Sequence, residues 1–513
     1  MERTTPDRPW PLFDTAATRR IEKASLAGLP PHTLMRRAGA ALAQLAGALA
    51  PHARMVWIAC GPGNNGGDGL EAATLLHRAG RPVTVTLAGD PGRLPADAAA
   101  ALARAREAGV AFADGCPPGL AAQDLCIDAL LGLGASAATG REPPPWLAKA
   151  LRALREVPCP VLAVDLPSGL RADTGQWSTG TEPGHPAADA PSPHRQHRHT
   201  LALLTLKPGL FTAEGRDAAG TVWRDTLDID PAGTDGGVPP TAWLAGPPPT
   251  AQRPHATHKG RYGDVAVVGG EGLGRRGMGM TGAAVLAATA ALHAGAGRVL
   301  LALLDGNAGV TIDVAQPELM LRTLAALDLH LGAVVCGCGG GEAVREALPR
   351  VLGESSRLVL DADALNAIAA DETLQHLLEH RAARGAPTVL TPHPLEAGRL
   401  LDRKAAEVQA DRLDTARTLA RRFGCVAVLK GSGTVVAAPD GRVSLNPTGN
   451  GRLATAGTGD VLAGMVGARL AGGMDAFEAA TAAVYEHGAL ADRWPASQPL
   501  TAGLLARNSG RAA

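Results

Sequence analysis

A glycine-rich turn stands directly before an Ala-, Gly- and Leu-rich segment within residues 446–469. The backbone of Gly457, Thr458 and Gly459 can bring N–H groups close to a phosphate, and a helix beginning near Asp460 would direct its positive end to the same place. A carboxylate at a helix start is often only a cap for free N–H groups. Asp460, however, lies where an anion should bind, which suits a base that removes a proton from a hydroxyl attacking a phosphoryl group. The pattern therefore predicts a phosphoryl-transfer site with Asp460 as its catalytic base.

Three segments upstream of this turn place polar residues directly after short apolar runs. Open α/β sheets bind ligands beyond the carboxyl ends of their strands, so these residues should lie near one another. The residues at the three run ends are Asp361, Asp363 and Asn366; His393 and Glu396; and Lys430, Ser432 and Thr434. The predicted nucleotide-binding residues are Lys430, Gly431, Ser432, Gly433, Thr434, Gly457, Thr458 and Gly459.

The segment GPGNNGGDG, residues 61–69, is the most specific short motif of the first half. Its spacing differs from the dinucleotide fingerprint GxGxxG. A flexible turn would explain the glycines, but Asn64, Asn65 and Asp68 add oxygen ligands and N–H donors on a backbone able to wrap tightly. The sequence therefore predicts a strand, a ligand-binding glycine-rich loop and a helix.

Carboxylates also follow two other apolar runs of the first half: Asp128 in IDALLGLG, and Asp165 in AVDLPSGL with Ser168 close behind. A single such Asp is commonly a cap or a turn former. Three polar loops at adjacent strand ends favour a binding site instead.

Alternating apolar and helical segments predict α/β architecture in both halves. Expected helices cover residues 15–27, 34–49, 96–108, 146–156 and 281–296, and expected strands cover 83–88, 125–131, 161–166 and 201–206. Residues 230–254 are rich in Pro, Gly and Thr and predict a linker. We therefore expect a doubly wound, Rossmann-like three-layer domain over 1–235 and a second doubly wound domain over 245–513.

Length and composition indicate a globular enzyme of two domains. The chain has 513 residues, 46% hydrophobic residues and no net charge, which argues against a nucleic-acid binder with a basic surface. No segment resembles a signal peptide or a membrane span, so a cytoplasmic protein without membrane contact is expected. The seven cysteines form no CxxC pair and predict buried free thiols. Cys336 and Cys338 lack a second ligand pair nearby in sequence, which disfavours zinc.

The second half, from about residue 251, resembles ribokinase-like dehydratases that act on hydrated NAD(P)H, through its TPHP loop, KGSGT and GTGD. The resemblance implies a ribokinase-like fold, ADP or ATP as co-substrate with Mg²⁺, and substrate contacts from Ala283, Gly339, His393 and Asp460. In VVCGCGGGEA, Cys338 replaces a usual Pro and Gly340 a usual Leu.

The first half resembles NAD(P)H-hydrate epimerase domains, with LMRRAG, GPGNNGGDG, DALLGLG, VDLPSG and TLKPGL in family order over about residues 12–230. The resemblance implies a K⁺ ion held by Asn65, Asp128 and Ser168, and Asp165 as the acid/base group. The implied substrate-binding residues are Asn64, Asn65, Gly66, Gly67, Asp68, Gly132 and Gly134. The sequence departs from the family at Arg36, where an acidic residue is usual, and in a His-rich insert over 185–199.

Together the two resemblances imply a bifunctional, homo-oligomeric repair enzyme. It would interconvert the R and S forms of NADHX and NADPHX and dehydrate the S form at the expense of ADP. One alternative is a small-molecule kinase for a vitamin precursor, with an N-terminal nucleotide-binding scaffold. Another is a non-catalytic N-terminal domain like those of messenger-RNA decapping scaffolds.

Overall fold

The computed structural model describes residues 1–134, 143–183, 197–231, 237–249, 253–274, 276–304 and 312–510. Most of the His-rich insert, including His194, lies outside these residues. The chain forms two compact units, one of Met1–Thr5 with Trp10–Ala242 and the other of Pro6–Pro9 with Trp243–Ala513. Within the described ranges, no helix combines the length and the apolar character that crossing a membrane requires.

Short Val-, Ile-, Leu- and Ala-rich runs form the central strands of the first unit, as expected for strands covered on both faces. The strands are β1 (Glu2–Arg3), β2 (Trp10–Leu12), β3 (Val56–Cys60), β4 (Val83–Leu87), β5 (Ala111–Phe112), β6 (Leu125–Ala129), β7 (Val161–Val164), β8 (Arg198–Leu203) and β9 (Thr221–Asp225). The edge strands β1 and β5 are exposed. An eight-stranded sheet has the order β1-β9-β8-β7-β6-β3-β4-β5, parallel except between β1 and β9. The order reverses between β3 and β6, so the loops that follow these two strands diverge and open a crevice.

Helices pack on both faces of this sheet and bury apolar stripes against it. They are α1 (Thr15–Leu26), α2 (Thr33–Leu49), α3 (Asn64–Arg78), α4 (Ala96–Glu107), α5 (Pro145–Glu156) and α6 (Gly215–Ala218). Asp14 caps α1 by accepting a hydrogen bond from Ala17 N at 2.7 Å.

The glycine-rich segment after β3 is not the loop that the sequence predicts, because α3 already begins at Asn64. Close packing of the first turns explains its glycines. A Cβ on Gly66 would lie 1.9 Å from the carbonyl oxygen of Gly61, and one on Gly67 would lie 2.5 Å from Cε of Met35. These two glycines let the helix start pack against the preceding turn and against α2.

The second unit also has a largely parallel sheet of short apolar strands. They are β10 (Ala242–Leu244), β11 (Asp264–Gly269), β12 (Arg298–Leu303), β13 (Met320–Leu321), β14 (Ala333–Cys336), β15 (Leu358–Leu360), β16 (Thr388–Leu390), β17 (Val426–Leu429), β18 (Val435–Ala437) and β19 (Val443–Leu445). Their order is β13-β12-β11-β14-β15-β16-β17-β18-β19-β10, and only the β17–β18 and β18–β19 pairs are antiparallel.

Ten helices of the described residues accompany these strands: α7 (Thr281–His293), α8 (Val344–Glu354), α9 (Asp363–Ala369), α10 (Glu372–Ala383), α11 (Pro394–Leu401), α12 (Ala405–Ala410), α13 (Arg412–Phe423), α14 (Thr458–Ala471), α15 (Ala476–Asp492) and α16 (Ala502–Arg507). Small residues let α7 and α14 touch: a Cβ on Gly464 would lie 2.1 Å from the carbonyl oxygen of Ala287. α14 begins at Thr458, two residues before the predicted start near Asp460.

The predicted linker over 230–254 contains a short strand at 242–244, which the sequence did not predict. In β10, Trp243 and Leu244 pair in parallel with Ser444 and Leu445 of β19, and Leu244 is buried. Its short Ala-Trp-Leu run is too brief to show apolar periodicity among the surrounding Pro and Gly residues.

The cysteine prediction is confirmed. All seven cysteines are free, and each is buried except Cys116, which is partly exposed.

Candidate functional sites

A cavity of about 500 Å³ opens at the carboxyl ends of the strands of the first unit. Several predicted site residues line it: Asn64, Asn65, Asp68, Gly132, Gly134 and Asp165. Gly66 and Gly67 are buried inside α3 instead. The cavity wall also includes Glu22 of α1 and Lys207, for which the sequence predicted no role.

Asp165 and Lys207 form a buried ion pair at the end of β7. The Lys207 ammonium donates to Oδ1 of Asp165 and, at 2.7 Å, to the carbonyl oxygen of Leu203. The N–H of Leu203 also donates to Oδ1 of Asp165, at 3.1 Å. Asp165 has a left-handed backbone with φ 65°, a conformation that is uncommon outside glycine and often occurs at functional sites. These contacts hold one carboxylate oxygen firmly at the cavity wall.

Two further carboxyl groups share the cavity with this pair. Burial raises the pKa of Asp68 well above its usual value, and the negative charges of Asp165 and Glu22 raise it further. The pKa of Glu22 is raised by burial and then by Asp165. The cavity therefore contains the Asp165–Lys207 ion pair and two carboxyl groups, Asp68 and Glu22, whose pKa values are higher than those of exposed carboxyl groups.

Beside the cavity, the predicted K⁺ ligands Asp128 and Ser168 lie in direct contact. The Ser168 hydroxyl donates to Oδ1 of Asp128 at 2.6 Å, and the Ser168 N–H donates to Oδ2 at 2.9 Å. The third predicted ligand, Asn65, approaches the neighbouring loop, where a Cβ on Gly132 would lie 3.1 Å from its Oδ1. The Asn65 Nδ2 atom is buried without a hydrogen-bond partner among the described residues.

Asp128 is an unusual buried carboxyl group. Burial raises its pKa, while the two hydrogen bonds from Ser168 lower it. The positive charge of Arg198 also lowers the pKa of Asp128, although no ion pair at contact distance joins them among the described residues. An ionised carboxylate in this position would be stabilised by a cation with oxygen ligands.

In the second unit, Asp460 lies in the first turn of α14, as the sequence predicted. The carboxyl groups of Asp361 and Asp363 lie near it. Burial and the negative charge of Asp361 raise the pKa of Asp460 to about 7, whereas a hydrogen bond with Cys338 and the charge of Lys430 lower it. Such a value suits a general base at neutral pH.

Lys430, predicted to bind nucleotide, pairs with Asp361 at the carboxyl edge of the sheet. Its ammonium donates to Oδ1 of Asp361 at 2.8 Å, and the Thr391 hydroxyl donates to the same oxygen at 2.7 Å. Burial alone would lower the pKa of Lys430, but Asp361 and Glu396 raise it, so the side chain stays charged. A Cβ on Gly459 would lie 3.2 Å from the Lys430 nitrogen, which places this cation beside the start of α14.

The start of α14 keeps the features of an anion site. Gly457 is the N-cap residue, with φ 89°, and supplies no side-chain cap. Its missing side chain leaves the N–H groups of Thr458 and Gly459 open to a ligand at the positive end of the helix. The Thr458 hydroxyl donates to the carbonyl oxygens of Leu453 and Thr455 at 2.9 and 3.1 Å and fixes the turn.

The turn between β17 and β18 contains the remaining predicted nucleotide-binding residues, Gly431 to Thr434. Gly431 has φ 134° and Gly433 has φ 61°, and both values lie in the left-handed region that favours glycine. A buried Arg412 holds this turn, because its Nη2 donates to the carbonyl oxygens of Leu429 and Lys430 at 3.1 and 3.2 Å. The sequence did not predict this role for Arg412, which lies at the start of α13.

His393 caps α11 and also lies near the charged groups of Lys430 and Asp361. Its Nδ1 accepts from the N–H groups of Leu395 and Glu396 at 3.1 and 3.3 Å, while the Glu396 carboxylate accepts from the His393 N–H at 2.7 Å. This reciprocal capping box holds the imidazole in place. Burial and the Lys430 charge lower the pKa of His393, so the ring is neutral at pH 7.

Ala283 and Gly339, both predicted to contact substrate, pack against each other. A Cβ on Gly339 would lie 2.8 Å from Cβ of Ala283 and 2.4 Å from the carbonyl oxygen of Met280. Gly339 therefore permits a tight approach between its loop and α7, and the substrate contact of both residues stays a prediction.

Comparisons with known proteins agree on the family of both halves. The family model for NAD(P)H-hydrate dehydratase matches residues 265–509, and that for the YjeF-related protein N-terminus matches residues 31–209. The bifunctional NAD(P)H-hydrate repair enzyme Nnr of Escherichia coli K12 is 34% identical over 491 residues, 92% of this chain and 87% of the relative. The ADP-dependent (S)-NAD(P)H-hydrate dehydratase of Neisseria meningitidis serogroup B is 43% identical over 261 residues, 50% of this chain and 84% of the relative.

Among solved structures, the ADP/ATP-dependent NAD(P)H-hydrate dehydratase of Bacillus subtilis, co-crystallised with ATP/Mg²⁺, is similar to this chain. Its sequence identity is 32% and its TM-score 0.42, and the match covers 51% of this chain and 93% of that chain. The predicted α/β fold class, with a Rossmann-like and a ribokinase-like part, is confirmed by the sheets and the two family models. From the identity and coverage of its relatives, the chain belongs to the family of bifunctional NAD(P)H-hydrate repair enzymes.

Proposed function

We propose that the second unit dehydrates the S form of hydrated NADH and NADPH at the expense of ADP, and that the first unit interconverts the R and S forms. One observation carries the proposal: the Asp460 carboxylate, with a pKa of about 7, stands at an uncapped helix start beside Lys430. A base and an anion site then lie within reach of one phosphoryl group.

In this reaction, Asp460 accepts the proton of the C6 hydroxyl while that oxygen forms a bond to the β-phosphorus of ADP. The bond from this phosphorus to the bridging oxygen breaks, and AMP leaves with the electron pair. Lys430 and the N–H groups of Thr458 and Gly459 stabilise the charge on the transferred group. The C6–O bond then breaks to release phosphate, a proton leaves the adjacent carbon, and the nicotinamide ring recovers its double bond.

In the first unit, Asp165 gives a proton to the C6 hydroxyl as the C6–O bond breaks and water leaves, and it takes a proton back from the water that adds to the opposite face of C6. Lys207 keeps the carboxylate oriented, and the neighbouring acids Asp68 and Glu22, whose pKa values are raised by burial, are further proton donors beside it. Asn64, Asn65 and the loop at Gly132 and Gly134 line the space in which the nucleotide binds.

Two metal ions fit the described residues. Asn65, Asp128 and Ser168 offer oxygen ligands for K⁺, whose charge would offset the charge of the buried Asp128 carboxylate. Mg²⁺ would enter with the nucleotide phosphates and neutralise part of their charge. A homo-oligomeric, cytoplasmic enzyme without nucleic-acid or membrane contact stays a prediction from the sequence.

The relatives favour repair over the kinase alternative, because the names of both curated relatives describe NAD(P)H-hydrate enzymes. The deciding experiment follows the recovery of NADH absorbance from a mixture of R- and S-NADHX with ADP, with ATP or without nucleotide. We expect complete, ADP-dependent recovery. Nucleotide turnover that leaves NADHX unchanged would favour a kinase, and recovery that stops when the S form is exhausted would favour a non-catalytic first unit.

A further inference from the structure

Three side chains from separate parts of the second unit bring one possible metal ligand each to the same point. They are the Cys338 thiol after β14, the Asp361 carboxylate after β15 and the Asp460 carboxylate in α14, and their ligand atoms all lie within 4.8 Å of one another. Cys338 is fully buried, and its Sγ lies 4.0 Å from Oδ2 of Asp361. A sulfur and an oxygen bound to one tetrahedral Zn²⁺ are separated by about 3.5 Å, so a small shift would complete the geometry.

The division of contacts on Asp361 favours such an ion. Lys430 and Thr391 both donate to Oδ1, whereas Oδ2 faces the Cys338 sulfur. One oxygen is therefore already held in place by protein donors, and the other remains available to a cation. With Cys338 deprotonated, the three ligands carry three negative charges, and Lys430 offsets one of them. A dication would neutralise the cluster.

We propose that Cys338, Asp361 and Asp460 form an inhibitory site for thiophilic divalent cations, of which Zn²⁺ and Cd²⁺ are the probes of choice. Thiolate ligands select such metals, while Mg²⁺ prefers oxygen and remains with the nucleotide. On binding, the Cys338 S–H bond breaks, its proton passes to solvent, and the sulfur donates an electron pair to the metal.

Inhibition follows because the same ion would occupy the Asp460 carboxylate. A metal-bound carboxylate no longer accepts the hydroxyl proton, and the cation would also occupy space beside the phosphoryl group. This consequence rests on the proposed role of Asp460, whereas metal binding itself does not. The sequence could not show the site, because its ligands are 23 and 99 residues apart along the chain.

The test titrates the full chain with Cd²⁺ and measures the ultraviolet charge-transfer absorbance of the Cd–thiolate bond. We expect one equivalent to bind. Cys338→Ala should weaken binding by at least about 100-fold, because loss of a residue that only supports a metal ligand already costs about 10- to 100-fold. Cys338→Ser is the second variant, which keeps the size but offers a hard oxygen. Cys336→Ala is the matched control, because that buried thiol is only two residues away and belongs to no metal cluster of the described residues.

A parallel measurement gives the ratio of dehydratase rates with and without Cd²⁺ for each variant. The wild-type chain and Cys336→Ala should be inhibited and recover with a chelator, whereas the Cys338 variants should resist. Epimerisation by the first unit serves as the internal control. Equal Cd²⁺ affinity in the wild-type and Cys338 variants would overturn the site. Binding through Cys338 without inhibition would overturn the inhibitory role and count against Asp460 as the base, while leaving the metal site intact.

Discussion

Asp460 combines a raised pKa with a position at the start of a helix, and its substitution separates chemistry from folding. Asp460→Asn should lower S-NADHX dehydration by at least about 100-fold, because the neutral side chain cannot accept the hydroxyl proton. Nucleotide affinity should persist or increase, since repulsion between a carboxylate and a phosphate is removed. Single-turnover rates and nucleotide titrations measure the two effects, with epimerisation unchanged as the control. Normal turnover in the variant would exclude Asp460 from the mechanism.

The pH dependence of the wild-type chain follows from the same group. The base form of Asp460 predominates above its pKa of about 7, so dehydration should rise with pH through that value and fall below it. The contribution of Asp460 to the free energy of unfolding changes with pH in the opposite direction to the dehydration rate. The folded pKa exceeds the unfolded pKa of about 3.9, so the folded state binds more protons between these values and loses stability as pH rises through them. Asp460→Asn should therefore raise the melting temperature more at pH 8 than at pH 5, as calorimetry would show.

The ion pair in the first unit gives a different prediction. Asp165→Asn should reduce epimerisation by roughly 10²- to 10⁴-fold, the usual contribution of a general acid or base. It should also destabilise the unit by about 3–5 kcal/mol, because Lys207 would remain buried without its partner. Denaturant unfolding and the rate of R-to-S conversion measure the two effects.

A double variant separates these two effects. Adding Lys207→Met to Asp165→Asn removes the uncompensated charge, so stability should recover while epimerisation does not. Recovery of the catalysed rate together with stability would show that Asp165 only orients the local fold.

At the residue scale, the sequence predicted the positions of the main carboxylates but not their partners. Asp165 and Asp460 could be recognised because each directly follows an apolar run or a glycine turn. Lys207 and Cys338 could not be paired with them, since those contacts join residues 42 and 122 positions apart. Side-chain pairs of this kind depend on the order of strands in a sheet, which local patterns do not specify.

Among the elements, the cap of α11 bears on the substrate role predicted for His393. His393→Ala should cost about 1 kcal/mol of stability through loss of the cap, whereas His393→Asn should keep most of it, because Asn is a favourable N-cap residue. If His393 also contacts substrate, KM for S-NADHX rises in both variants. Wild-type KM in the Asn variant, with wild-type stability, would assign His393 to capping alone.

The accuracy of the predicted elements follows their apolar patterning. Strongly patterned segments were predicted within a few residues, as for α2 and β4, whereas GPGNNGGDG and the segment around β10 were not. In the first case, tertiary packing against Met35 and Gly61 makes helix from a sequence that intrinsically favours a turn. In the segment around β10, three residues form a strand because they pair with the neighbouring strand β19.

On the scale of the whole molecule, fragments test whether each unit folds and works alone. We expect residues 1–235 and 245–513 each to fold and keep one activity, and a fragment starting at Trp243 to be more stable than one starting at 245. Leu244 is buried, and burial of a leucine contributes about 1.5–3 kcal/mol. Melting temperatures and the two separate assays measure the outcome. Inactive or insoluble fragments beside an active full chain would contradict independent folding.

The second unit also includes Pro6–Pro9, where the Pro6 carbonyl oxygen accepts a hydrogen bond from the Tyr485 hydroxyl at 2.7 Å. During synthesis on the ribosome, Pro6 is made 479 residues before Tyr485. The nascent chain must therefore keep this segment available until Tyr485 has been made. Docking of Pro6–Pro9 onto α15 is therefore a late step in the folding of the second unit.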